Sequence, residues 1–216
     1  SVIDQQLFNP NAGRRVEGYI VQNSAFGLPI PLVFGQVRLA GNVIWSDGLI
    51  ETQGGGGGKG GAPSSDGPRF ISSFAIALSQ RPILRIGRIW ADGKLIREAD
   101  GALAVGGELR VYLGDEDQTV DPVMEAALGV GEVPAYRGLA YVVFENLELG
   151  EFGNRVPNLT LEVIADEGGA ALQTVIQDLA AIGDFGSVDA TNLSGTIIGY
   201  VADGSLSYRR VLDDIA

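Results

Sequence analysis

Neither cysteine nor histidine occurs among the 216 residues. Their absence excludes disulfide bridges, Cys- or His-ligated zinc, and the Ser-His and Cys-His dyads of nucleophilic catalysis. Long apolar runs are missing too. No segment reaches the ~18 consecutive apolar residues of a membrane helix, and the N-terminus lacks the basic, apolar and small-residue order of a signal peptide. A soluble chain with no membrane segment is expected. Basic charge is scarce: 15 Lys and Arg against 27 Asp and Glu leave a formal charge of −12. Such a surface repels a phosphate backbone, so neither direct nor sequence-specific nucleic-acid binding is expected, whereas a passage that conducts DNA without gripping it can be acidic.

What is present points to a globular, β-rich chain. The sequence is 45% hydrophobic, enough for a sizeable core, and its 32 glycines are roughly twice the usual ~7% share, as in proteins with many turns and bulges. Residues 19–45 read as extended, with Pro29 and Pro31 suited to a strand start or a sheet edge. The Gly-rich stretch 53–68 reads as a flexible loop. Beyond it, Phe70, Phe74, Ile76 and Leu78 alternate with Ser73, Ala75, Ala77 and Ser79 in a two-faced strand. Residues 84–91 continue as strand, and Asp92-Gly93 is a type I′ hairpin signal. Strands are further expected at 110–113, 139–149 and 159–164. In the last, Leu159, Leu161 and Val163 form one face, Thr160 and Glu162 the other.

Asp121 as N-cap, Pro122 at the first helical position and Gly129 past the end predict a short helix. After Asp166-Glu167-Gly168-Gly169 the apolar period changes to 3.6, and Leu172, Val175, Ile176, Leu179 and Ile182 make a helical stripe ending at Gly183. This switch sets the expected organisation: a β-rich domain over 1–165, then a smaller α/β unit over 166–216 with a strand at 195–201 and a helix from Ser207. A chain that starts at Ser1 and stops at Ala216 inside a helical pattern reads as part of a longer polypeptide. The expected fold class is mainly β, barrel- or sandwich-like, with short attached helices, α+β overall.

Several stretches resemble reactive motifs and fail their tests. Gly54 to Gly60, GGGGGKG, has Gly after Lys59 where a phosphate-binding loop needs Ser or Thr. Asp115, Glu116, Asp117 and Asp121 lack the EF-hand spacing, with Val120 at the sixth position and Ala126 at the twelfth. The catalytic chemistry still open is a carboxylate pair of the glycosidase type, from Glu145, Glu148, Glu151, Glu162 and Asp166, although acids on the wet face of a sheet are much commoner. Trp45 and Trp90 suit either sugar stacking or, better given their Val- and Ile-rich surroundings, core packing. No cofactor, metal or catalytic residue is assigned.

The word order carries more information than any of these motifs. Tyr136-Arg137-Gly138, then Tyr141 to Glu145, then Phe152-Gly153-Asn154-Arg155-Val156-Pro157 follow PIPLVFGQVRLAGNVIW at 29–45 and ILRIGRIWADGK at 83–94, with the Gly-Lys loop between. This order, over roughly residues 20–165, resembles the tail hub and tail-tip proteins of long-tailed bacteriophages and phage-like gene transfer agents. The resemblance implies a ring below the tail tube, usually a trimer built on tube-like β-barrels. Such a ring joins tube, distal tail proteins and fibre or spike, and opens for DNA. It makes Lys59, Tyr136, Arg137 and Arg155 candidate assembly residues, the arginines because a planar guanidinium matches carboxylates on so acidic a chain. A carbohydrate-binding receptor module and a wall-degrading glycosidase are the alternatives.

Overall fold

The computed structural model describes residues 29–52, 69–182 and 188–202. The expected loop 53–68 with Lys59, the helix from Ser207 and the extended residues before Pro29 lie outside them. The chain forms β1 (Leu32–Leu39), β2 (Asn42–Ser46), β3 (Ile50–Thr52), β4 (Arg69–Ser79), β5 (Arg85–Ala91), β6 (Lys94–Arg97), β7 (Glu108–Tyr112), α1 (Pro122–Leu128), β8 (Ala140–Glu148), β9 (Leu159–Ile164), β10 (Ala170–Ala171), α2 (Leu172–Ile182), β11 (Thr196–Ile197) and β12 (Gly199–Ala202). Among the described residues it is mainly β with two short α-helices.

Two antiparallel five-stranded sheets make the body. One has the order β12-β1-β9-β5-β6; the other runs β2-β4-β8-β7, with β3 also paired to β4. Alternation places Val33, Val37 and Leu39 of β1, Leu159, Leu161 and Val163 of β9, and Phe74, Ile76, Val142 and Phe144 of β4 and β8 in one shared core. The two sheets therefore pack as a sandwich, and Phe74 stacks on Phe144 at 5.1 Å between centroids.

Each outer face carries a helix. On the first sheet, α2 buries Val175 and Leu179 against Leu32, Phe34, Tyr200 and Ala202. On the second, Met124 of α1 packs with Ala75, Tyr141 and Val143. Asp121 caps α1 as expected, accepting from the backbone N–H groups of Val123 and Met124, with Pro122 next and Gly129 at the C-cap. The Asp92-Gly93 hairpin joins β5 and β6 with φ of 48° and 83°, the left-handed pair a type I′ turn requires.

The structure departs from expectation in four places. Strand β9 is buried on both faces, because Gln36, Arg38 and Arg88 cover the side that carries Thr160 and Glu162. Ile182, though in phase with the apolar stripe, is 55% exposed, since α2 ends beyond the edge of its cluster. The strand expected over 195–201 is two strands, β11 and β12, bent apart at Ile198. Beside that bend Gly35 has φ 68°, and a Cβ on it would lie 2.1 Å from the carbonyl oxygen of Ile198. Finally, neither tryptophan joins the inter-sheet core: Trp45 is half-buried against the α1 cluster and Trp90 lies on the outer face of the first sheet. The expected boundary at 165/166 falls between β9 and β10, and β12 beyond it pairs with β1.

Candidate functional site

Among the described residues the candidate assembly residues lie at opposite ends of β8. Tyr136 precedes the strand in the left-handed region at φ 50° and meets Tyr141 edge-on at 5.5 Å, while its carbonyl accepts from Gln118 at 2.8 Å. Arg137 beside it is exposed. Arg155 follows the short 3-10 turn after β8 and donates to Asp92 at 2.9 Å, tying the β8–β9 connection to the β5–β6 hairpin. The nine residues of β8 hold the two ends ~30 Å apart. Tyr136 and Arg137 thus form one locus and Arg155 another.

The candidate carboxylates are also dispersed. Glu162 on β9 accepts from Arg88 Nε and Nη2 at 3.0 Å each, from the Arg88 backbone N–H at 3.1 Å and from Gln36 at 2.7 Å. The Arg88 hydrogen bonds outweigh burial and hold its carboxyl down at about 2. Asp166 takes a two-pronged bond from Arg81 at 2.8 and 3.0 Å plus the Gly35 N–H. Burial alone would raise its pKa, yet these donors lower it. Arg81 also lies 3.6 Å from Asp178 on α2 and over the Phe34 ring, so it clamps that helix to β1. Burial together with the Asp166 charge raises Asp178. Glu145 pairs with Arg110, and Glu151 with Lys94. Glu148 and Glu151 line a cavity of about 310 Å³ with Arg69, Phe70 and Val105.

Of the acids considered for calcium, Asp121 is fully buried and held by Arg110 at 2.7 Å and the Tyr112 hydroxyl at 2.9 Å. Burial opposes ionisation there, but Arg110, the Met124 N–H and Tyr112 together keep the carboxyl low. Burial in turn pushes the Tyr112 hydroxyl up to about 12, with Asp121 adding to the rise. No group of three potential metal ligands forms among the described residues.

A further polar surface is one that the sequence motifs do not mark. On the outer face of the first sheet, Arg38 Nε donates to the buried Thr160 hydroxyl at 2.9 Å and its guanidinium lies 3.7 Å from the Trp90 ring centroid. Arg88 approaches the same ring at 5.4 Å. Period-two placement of Arg38, Thr160 and Trp90 is visible in the sequence. Their adjacency requires the β1–β9–β5 pairing, which is not.

No family model matches the chain, and no curated protein matches it. Among solved structures it is similar to a chain of the virion of a native gene transfer agent particle, with a TM-score of 0.71 and 29% identity over 96% of this chain. The match covers 52% of that protein, so the present chain spans about half its length. This likeness supports a structural component of a virion.

Proposed function

We propose that the chain is a module of the hub or tip of a phage-like tail, in a ring, trimeric by family resemblance, that joins tail tube, distal tail and fibre and lines the DNA exit path. The observation that carries this reading is the similarity over 96% of the chain to a gene transfer agent virion component. The ordered tail-hub motifs agree with it: PIPLVFGQVRLAGNVIW becomes β1 and β2, ILRIGRIWADGK becomes β5 and the hairpin, and residues 136–163 supply β8 and β9. The net charge of −12 suits a passage that releases DNA. Tyr136, Arg137 and Arg155, at two separate loci, remain the proposed assembly residues together with Lys59, which lies outside the described residues.

The alternatives find less support. Arg38 covers a face of Trp90 that a sugar would need, and Trp45 is half-buried against α1. A glycosidase acid needs a raised pKa, whereas Glu162 and Asp166 are held low by arginines. A reconstruction of the intact particle tests the proposal. Density for residues 136–163 on the tail axis below the tube is expected; density in the capsid shell, or in a single peripheral copy, would overturn it.

A further inference from the structure

We propose that the Arg38–Trp90 face is an interface between copies of this chain, receiving the acidic turn 115–117 of a second copy. The inference rests on the assembly role proposed above and gives it a contact. Arg38 is fixed at both ends of its guanidinium plane, by the Nε bond to Thr160 at 2.9 Å and by stacking 3.7 Å from the Trp90 centroid. Its terminal nitrogens have no partner among the described residues. An arginine ordinarily loses rotamer freedom on docking; here folding has already ordered the fork without neutralising it. Arg88 also approaches the ring, at 5.4 Å, but its charge is met by Glu162, which Arg88 and Gln36 hold. The face therefore offers one unpaired arginine beside an aromatic plate, the residue types that anchor protein interfaces.

Charge selects the occupant. With 27 acids against 15 bases, a copy of this chain is itself rich in carboxylates. Asp115, Glu116 and Asp117 are consecutive, exposed and unpaired with any cation among the described residues. Their turn is rigid: the buried Gln118 accepts from the Gly114 N–H at 2.8 Å and donates to the carbonyls of Ala135, Tyr136 and Leu139 at 3.0, 2.8 and 3.2 Å. The turn follows β7 in one sheet, whereas Arg38 lies on the outer face of the other. Two different surfaces that fit each other make a head-to-tail contact, the kind that closes a ring.

Because the sequence contains no cysteine, thiols at 38 and 116 can be placed uniquely. Protein carrying Arg38→Cys is mixed with protein carrying Glu116→Cys and treated with a bis-maleimide long enough to replace the two side chains. A dimer absent from either variant alone is expected. In the untagged protein, Arg38→Glu should abolish self-association in sedimentation, and Glu116→Arg in the same chain should restore it, which also shows that the variant is folded. Absence of the mixed cross-link, or self-association unchanged by Arg38→Glu, overturns the interface; recruitment of a different acidic protein by Arg38 does so as well. The reconstruction reads location separately. A chain on the tail axis without a 38–116 cross-link sinks this contact alone, while a cross-linked ring elsewhere in the particle sinks the tail reading alone.

Discussion

The absence of a side chain at Gly87 makes room for the carboxylate of Glu162: a Cβ at 87 would lie 2.5 Å from Oε2 and 3.1 Å from Cδ. Between Ile86, opposite Val163, and Ile89, opposite Leu161, both Gly87 and Arg88 face Glu162 in a β-bulge. The extra residue aims the Arg88 backbone N–H and guanidinium at the same carboxylate. An exposed glutamate could swing away from a new methyl group. This one is pinned by Arg88 and Gln36. Gly87→Ala is therefore expected to cost about 1–3 kcal/mol by overpacking. In a Glu162→Ala background the same substitution should cost much less, a coupling that urea unfolding of the four proteins measures; additive costs would show that the two residues do not interact.

Acid should dissolve this contact in a defined window. The folded-state pKa of Glu162 is depressed from its ordinary 4.5 to about 2, so its contribution is complete above pH ~4.5 and disappears as pH falls through ~2. Arg88 is half-exposed, so solvent screens part of the interaction. Asp121 and Asp166, also lowered, act in the same direction; Asp178, raised, acts in the opposite one, since its protonation favours the folded state. The stability difference between the native chain and Glu162→Gln, followed by urea unfolding, should hold from pH 6 to about 4.5 and shrink below that toward pH 2.5. A constant difference would mean that Glu162 carries no special charge interaction.

The β5–β6 hairpin isolates backbone strain from packing. Gly93 sits at φ 83° with nothing within 4 Å of a would-be Cβ, so a side chain there costs conformation alone. Gly93→Val should destabilise by roughly 1–2 kcal/mol, and Gly93→Asn by less, because asparagine tolerates the left-handed region. Equal melting temperatures for Val and Asn would contradict the turn assignment.

Asp121 joins two roles that substitution can separate. Its Oδ1 caps α1 by accepting from Val123 and Met124, while Oδ2 accepts from Arg110 and Tyr112. Asp121→Ala removes the cap and one of the two carboxylates bound to the partly buried Arg110, an expected loss of about 2–3 kcal/mol. Asp121→Asn keeps the capping oxygen and should lose less, and Glu145 still holds Arg110 in both. Thermal unfolding ranks the two; an alanine variant as stable as the asparagine variant would remove the capping argument.

These same residues mark how far the sequence could be read. The α1 cap, the Asp92-Gly93 turn and the α2 stripe are local signals, complete within a dozen residues, and the structure keeps them except for the exposed Ile182 at the end of the stripe. The Gly87 bulge, the double burial of β9 and the position of Trp90 depend on strands up to 126 residues apart in the chain, as Gln36 and Glu162 are. Alternation distinguishes the two faces of β9, but it cannot say that arginines from β1 and β5 will roof the polar one. Candidate site residues were limited in the same way. Tyr136 and Arg155 stand close in the motif order, yet β8 runs between them and sends them to opposite ends of the sandwich.

Hydrolysis of cell-wall polymer gives the last test, and no turnover is expected. A retaining or inverting glycosidase needs one carboxyl that is protonated near neutral pH and a second, ionised one free to act as nucleophile or base, ~5–10 Å away across the bond. Glu162 is ionised down to about pH 2 and gives its oxygens to Arg88 and Gln36. Asp166 is engaged by Arg81 through both oxygens, Glu145 by Arg110, and Glu151 by Lys94. Glu148 shares the wall of the cavity with Glu151, which is itself paired with Lys94, so the cavity offers no two free carboxylates. Incubating the purified chain with peptidoglycan and with acidic and neutral polysaccharides should therefore release no reducing ends above buffer. Turnover that is lost on Glu145→Gln or Glu162→Gln, with melting temperatures unchanged, would show that an arginine-bound carboxylate is set free on binding substrate and would restore the enzymatic reading.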